Sequence, residues 1–239
     1  DAISNKMTET YRSSKNRITG VSISSIITAF HCPRRYYFYS AIESKPSERY
    51  SICKQISCMD SDATEEELWE NICIIHPDIA DEKRSFLKEC LKATRNIPLR
   101  PWTETDILVR SDRAGIHGLL DKYNAATGEY TLTRCTNAPR IGCWPDDALR
   151  AAAFLICLEE TCTTKVDGIY IEYIPSGIVR YFKPTPKDRR MVLQLIRKVR
   201  DIDKGIFPEK PLNPPCFRCS FLERCQQNKP RRLSFLFKK

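Results

Sequence analysis

Two closely spaced prolines, Pro98 and Pro101, divide this chain into segments of different hydrophobic period. Before them apolar residues recur at helical spacing: Ile23, Ile26, Ile27 and Phe30 lie on one face, with Ser22 or Ser24 available as N-cap. Pro33 is expected to break that helix just after Cys32. Residues 41–63 read as a polar connection containing Cys53 and Cys58, followed by an acidic helix near Glu65–Ile74 and another near Ile79–Thr94. After the prolines the period becomes two. DILVRSD (106–112), GIHGLLDKYN (115–124) and EYTLTRC (129–135) read as strands linked by short turns. A helix is predicted over Asp146–Thr161, with Pro145 at its start and two aspartates in its first turn. Strands at 166–174 and 178–182 follow, around Pro175–Ser176–Gly177, and then a helix over about 186–204. Helices first, then a sheet interrupted by a helix, predict an α/β architecture with an N-terminal helical subdomain.

The expected organisation is a flexible stretch 1–18, a helical subdomain 19–100, an α/β core 101–204, a C-terminal segment 205–228 and a basic tail 229–239. The longest apolar run, Ala151–Leu158, is far shorter than the ~18–20 residues of a membrane span, so no membrane association is expected. The first seventeen residues carry no apolar stretch of the kind a secretory signal needs, so a cytoplasmic location is expected. In such a reducing compartment cysteines gather for metals rather than disulfides.

The chain has 12 cysteines, and their spacing matters more than their number. Near the end stands PPCFRCSFLERC, which places Cys216, Cys219 and Cys225 within ten residues of expected loop. A four-coordinate site needs one more soft ligand, and Cys32, in the Cys-Pro context of FHCPRRYYF, supplies it. Four thiolates suit iron–sulfur or zinc, and zinc bound by the trio with His31 is the alternative. The remaining eight cysteines read as core or surface thiols.

A lone Cys-Pro-Arg-x-Tyr near the start and a distant Cys-x2-Cys-x5-Cys resemble the iron–sulfur exonucleases of the CRISPR-associated family numbered four, within the RecB-like PD-(D/E)xK group. GLLD and then IYIEYIP fall in the expected order between them, so the resemblance spans roughly residues 20–228. It implies a restriction-endonuclease-like mixed sheet flanked by helices, an N-terminal helical subdomain, and a [4Fe–4S] cluster region joining the two chain ends through Cys32, Cys216, Cys219 and Cys225. Such distant closure removes unfolded-chain entropy.

The resemblance also implies a Mg²⁺ or Mn²⁺ site built from an Asp and a Glu-x-Lys on adjacent strands. Asp121 in GLLDK matches the first aspartate. The next strand offers Leu132/Arg134 or Thr133/Cys135 where Glu and Lys are expected, and neither pair holds a carboxylate. Arg134 cannot act as a base because a guanidinium keeps its proton. Arg150-Ala-Ala-Ala-Phe154 stands where the family carries Gln-x3-Tyr. The residual catalytic candidates are therefore Asp121, Arg134 and Arg150, and the candidate divalent-metal ligands are Asp106 and Asp121, with metal weak or absent. Asp112, Glu129 and Glu172 are further acids that could rescue the site. His76 reads as a helix-end residue, and His117 as a half-buried strand histidine whose parity matches Asp121.

The formal net charge is +9, and it is concentrated. Residues 180–200 hold eight Lys/Arg against one Asp, and KPRRLSFLFKK (229–239) adds five more cations. Arg34, Arg35, Arg180, Arg189 and Arg190 are the expected nucleic-acid contacts, with Tyr36, Tyr37 and Phe38 as stacking candidates for single-stranded DNA. Leu233, Leu236 and Phe237 of the tail could dock on a protein partner in a DNA-processing complex. The sequence thus reads as an iron–sulfur DNA-binding protein with nuclease activity lost or weak, acting in DNA processing or CRISPR spacer acquisition. The rivals are an active divergent exonuclease and a cluster-stabilised protein-interaction module.

Overall fold

The computed structural model describes residues 20–39, 46–60, 62–162 and 165–227. The N-terminal stretch 1–18 and the basic tail 229–239 lie outside them.

A two-residue strand β1 (Val21–Ser22) leads into helix α1 (Ile23–His31), whose N-cap Ser22 accepts a hydrogen bond from the Ser25 amide. Pro33 stops α1 and also starts α2 (Pro33–Tyr39), because the first turn of a helix tolerates a missing N–H. Cys32 is therefore held in the extended elbow between two helices. The segment 41–63 is not a connection. It contains helix α3 (Glu48–Ser57), capped by Ser47, which buries Ile52 and Ile56 one turn apart. Helix α4 (Glu65–Ile75) opens with a reciprocal capping box between Thr64 and Glu67, and α5 (Lys83–Thr94) starts later than the apolar pattern suggests.

The sheet is six-stranded and mixed. Strand β2 (Glu104–Ser111) pairs antiparallel with β3 (Ile116–Asn124), and β3 in turn with β4 (Glu129–Arg134). Helix α6 (Pro145–Thr161) crosses to β5 (Ile169–Tyr173), which lies parallel to β4, and β6 (Ile178–Phe182) closes antiparallel to β5. The short β1 lies parallel to β3. Gly177 turns the β5–β6 corner at φ +58°, and a Cβ there would fall 2.1 Å from the Ala93 carbonyl oxygen of α5, so only glycine fits.

Helices α1, α6 and the long amphipathic α7 (Pro186–Asp203) cover the sheet with one apolar core; Ala151, Ala152 and Ala153 let α6 approach closely. Helices α3 to α5 form a second core around Ile52, Ile56, Leu68, Ile72 and Leu87, which includes Ile174 in the turn after β5. Beyond α7 the chain makes a 3₁₀ turn at Cys216–Arg218 and a short helix α8 (Leu222–Gln227). Cys225 thus sits on a helix, not in a loop. No helix among the described residues is long and apolar enough to cross a membrane.

Candidate functional site

The β3–β4 ladder ends at Lys122 opposite Thr131, and past that point the strands part. Asp121 lies at the opening. Its Oδ2 accepts a 2.7 Å hydrogen bond from the Thr133 amide, which would otherwise lack a partner there. Its Oδ1 accepts from the Tyr50 hydroxyl. The Lys54 ammonium stands 2.5 Å from the Asp121 carbonyl oxygen, 3.5 Å from Oδ1, and 3.2 Å from Oδ1 of Asp106. Tyr50 and Lys54 are one turn apart on α3, so they reach the same point. Burial and then the Asp121 charge push the Tyr50 hydroxyl far above its ordinary pKa, which keeps it a donor. Asp106 has φ +55°, the one left-handed non-glycine among the described residues. It sits between the Thr105–Lys122 and Ile107–Leu120 pairs and kinks β2 opposite Asp121.

The expected Glu-x-Lys strand carries different chemistry. Leu132 is buried in the main core. Arg134 forms an ion pair with Asp147 and lies 3.5 Å from Asp146, which also faces His31 at 3.5 Å. Asp147 accepts a 2.8 Å bond from the Tyr173 hydroxyl. Burial raises the Asp147 pKa, with Arg134 opposing; for Asp146 burial is outweighed by His31 and Arg134, and its pKa falls. Arg150 joins this cluster from α6 with its Nε buried and without a hydrogen-bond partner, while Phe154 is core. Burial and then the Arg134 charge lower the Arg150 pKa.

The other acids are committed elsewhere. Glu172 is fully buried with Lys122: it accepts from Lys122 Nζ at 2.8 Å, Ser57 Oγ at 2.6 Å and the Arg100 amide at 2.6 Å. Lys122 completes its three bonds on the Ser57 and Arg100 carbonyls. Glu129 pairs with the Arg100 guanidinium, and exposed Asp112 with Arg110. His117 lies across from Arg110, its Nδ1 buried without a partner, and burial lowers its pKa. His76 meets Ser51 Oγ at 2.8 Å. Of the four acids considered for rescue, Asp106 alone meets Asp121, and it does so across an ammonium. Among the described residues no three His, Cys, Asp or Glu side chains converge to hold an ion, and a divalent cation does not fit beside Asp121 as these groups stand.

At the C-terminal end of α1, Cys32, Cys216, Cys219 and Cys225 line one cavity, rimmed by Arg34, Arg35 and Lys210. Phe38 of α2 stacks on Phe221 with centroids 6.1 Å apart, tying the two chain ends together. All four are free thiols, and among the described residues no His, Asp, Glu or further Cys lines the cavity. The donor set fits a thiolate-ligated group, although the side chains are not drawn into a close ligand group. His31 pairs with Asp146 instead of joining them, which removes the support for zinc bound by the trio with His31. Cys53, Cys90 and Cys157 are fully buried; Cys58, Cys73, Cys135, Cys143 and Cys162 are partly so.

The arginines expected to meet nucleic acid divide. Arg180 is spent on the carbonyls of Pro139, Arg140 and Gly142, where it pins the loop before α6, and Arg189 is held by Glu159. Arg34 donates to the Pro208 carbonyl over the Phe207 ring. Arg35 and Arg190 are exposed. Tyr36 and Phe38 are buried, Tyr36 donating to Asp203, so neither offers a stacking face.

No family model matches the chain. An uncharacterized protein of Archaeoglobus fulgidus is 28% identical over 124 residues, covering 52% of this chain and 56% of that protein, so the chain spans about half the length of this relative. A solved structure from Eubacterium rectale, described as a "putative exonuclease", superposes with a TM-score of 0.56 at 13% identity, over 96% of this chain and 97% of that one. At that identity the likeness is one of fold, and it runs the length of both chains.

Proposed function

We propose that this chain is an iron–sulfur protein that binds single-stranded DNA on a nuclease-like frame and hydrolyses it weakly or not at all. The observation that carries the reading is the cleft at Asp121, where the neighbouring strand offers Thr133 rather than a carboxylate, and Lys54 lies between the two aspartates. The fold likeness to the Eubacterium rectale protein supports a nuclease-like ancestry. Cys32, Cys216, Cys219 and Cys225 would hold the cluster, which supplies a covalent staple between the chain ends. DNA processing or CRISPR spacer acquisition, with protein partners in such a complex, is the role that the sequence resemblance suggests.

Lys187, Arg190, Arg197 and Lys198 project from the outward face of α7, opposite the buried Val192, Leu195, Ile196 and Val199. Four phosphate contacts on single-stranded DNA give a log–log salt slope near −3, about a 50-fold loss of affinity between about 50 and 200 mM salt. Fluorescence anisotropy with a labelled oligonucleotide tests this; no binding at low salt, or salt-independent binding, contradicts it and favours the protein-interaction module. The approach of Asp106 to Asp121 supports a second reading, a divergent Mg²⁺/Mn²⁺ exonuclease, which hydrolysis assays separate from the first.

A further inference from the structure

The cation-sized position between Asp106 and Asp121 is filled from within the chain. We infer that Lys54 is a built-in replacement for a divalent ion, an inference that deepens the reading of a non-hydrolytic cleft and rests on it. Three oxygens surround the ammonium: Asp106 Oδ1 at 3.2 Å, Asp121 Oδ1 at 3.5 Å and the Asp121 carbonyl at 2.5 Å. The Asp121 carbonyl accepts a hydrogen bond from it, and the two carboxylates pair with its charge. The placement is not that of a surface lysine making a chance contact. The Lys54 side chain is 13% exposed, and its stem is fixed on α3.

The backbone has been bent to complete the arrangement. Asp106 adopts φ +55° and breaks the β2–β3 ladder, a conformation costly for a residue with a side chain. The kink sits opposite Asp121, so the two carboxylates meet at the ammonium. The second Asp121 oxygen is used by the Thr133 amide and the first also by Tyr50, leaving few lone pairs for a metal. A Mg²⁺ or Mn²⁺ ion needs oxygens at about 2.0–2.2 Å and several of them. Here it would have to sit within a few ångströms of a fixed positive charge. One Lys⁺ against two carboxylates thus assembles the cleft without metal.

The test is Mn²⁺ binding by the full-length protein, followed by loss of the free-ion EPR signal. Wild type and Lys54→Arg are expected to show no stoichiometric site. Lys54→Met and Lys54→Gln are expected to gain one, at least about tenfold tighter than wild type, and Asp106→Asn in either background removes it. Folded Lys54→Met and Lys54→Gln proteins that gain no site overturn the inference. If neither variant folds, wild type decides: one tight Mn²⁺ ion lost in Asp106→Asn overturns it, and no such ion supports it. DNA binding is read separately by anisotropy, so its failure with a gained Mn²⁺ site sinks the proposed function alone.

Discussion

Replacing Glu172 by alanine would strand a buried ammonium. Lys122 is 1% exposed and Glu172 is fully buried, and each makes three hydrogen bonds in the network with Ser57 and Arg100. Glu172→Ala leaves Lys122 with two carbonyls and no counter-charge, and removes the acceptor for the Arg100 amide. Breaking one side of a buried pair costs about 3–5 kcal/mol. That is a large part of the ~5–15 kcal/mol by which a domain is stable, and corresponds to roughly 6–20 °C in melting temperature at this size. Urea unfolding followed by circular dichroism measures it. Lys122→Met combined with Glu172→Leu removes both charges and is expected to recover at least half of the loss, because most of the cost is the unpaired ion. A Glu172→Ala loss below about 1 kcal/mol, or a double variant as costly as the two singles summed, refutes the assignment of Glu172 as a structural staple.

Anaerobically purified protein is expected to carry about four iron atoms and matching acid-labile sulfide per chain, with Cys32→Ser losing most of both; iron-free protein with bound zinc contradicts this. Neutralising Lys187, Arg190, Arg197 and Lys198 together should reduce the salt slope by about 3 and leave the melting temperature within a few degrees. His117 is held neutral by burial, so its folded pKa lies below the unfolded value of about 6.5. In that window the unfolded chain binds the extra proton, so stability rises with pH and is lost on acidification below about 6.5. His117→Gln should flatten the difference in melting temperature between pH 5.5 and 7.5 relative to wild type.

The sheet was legible because its strands are short apolar runs rich in β-branched and aromatic residues, with Gly and Pro at the corners; β6 runs over the same residues, 178–182, that the pattern marks. The helix over 145–161 was legible from its proline and acidic first turn. Helix α3 was not, because ERYSICKQIS has polar residues on most of its surface and only Ile52 and Ile56 mark a stripe. Ser47, as a cap one residue ahead, was the available signal. That omission hid the site, since Tyr50 and Lys54 come from α3. Glu172 reads as a candidate metal-site acid and Arg180 as a nucleic-acid contact because their partners, Lys122 and the Pro139–Gly142 carbonyls, are 50 and about 40 residues away in sequence. The gathering of Cys32 with three cysteines more than 180 residues later rested on motif spacing, which no local rule of folding supplies.

The basic face of α7 and the metal-poor cleft at Asp121 together describe a nuclease-like frame that binds DNA without cutting it. Incubating the anaerobically prepared protein with end-labelled single-stranded DNA and Mn²⁺, and resolving bound from degraded strand in one experiment, tests it most directly. A retarded, full-length strand is expected. Degradation that disappears in Asp121→Ala contradicts it.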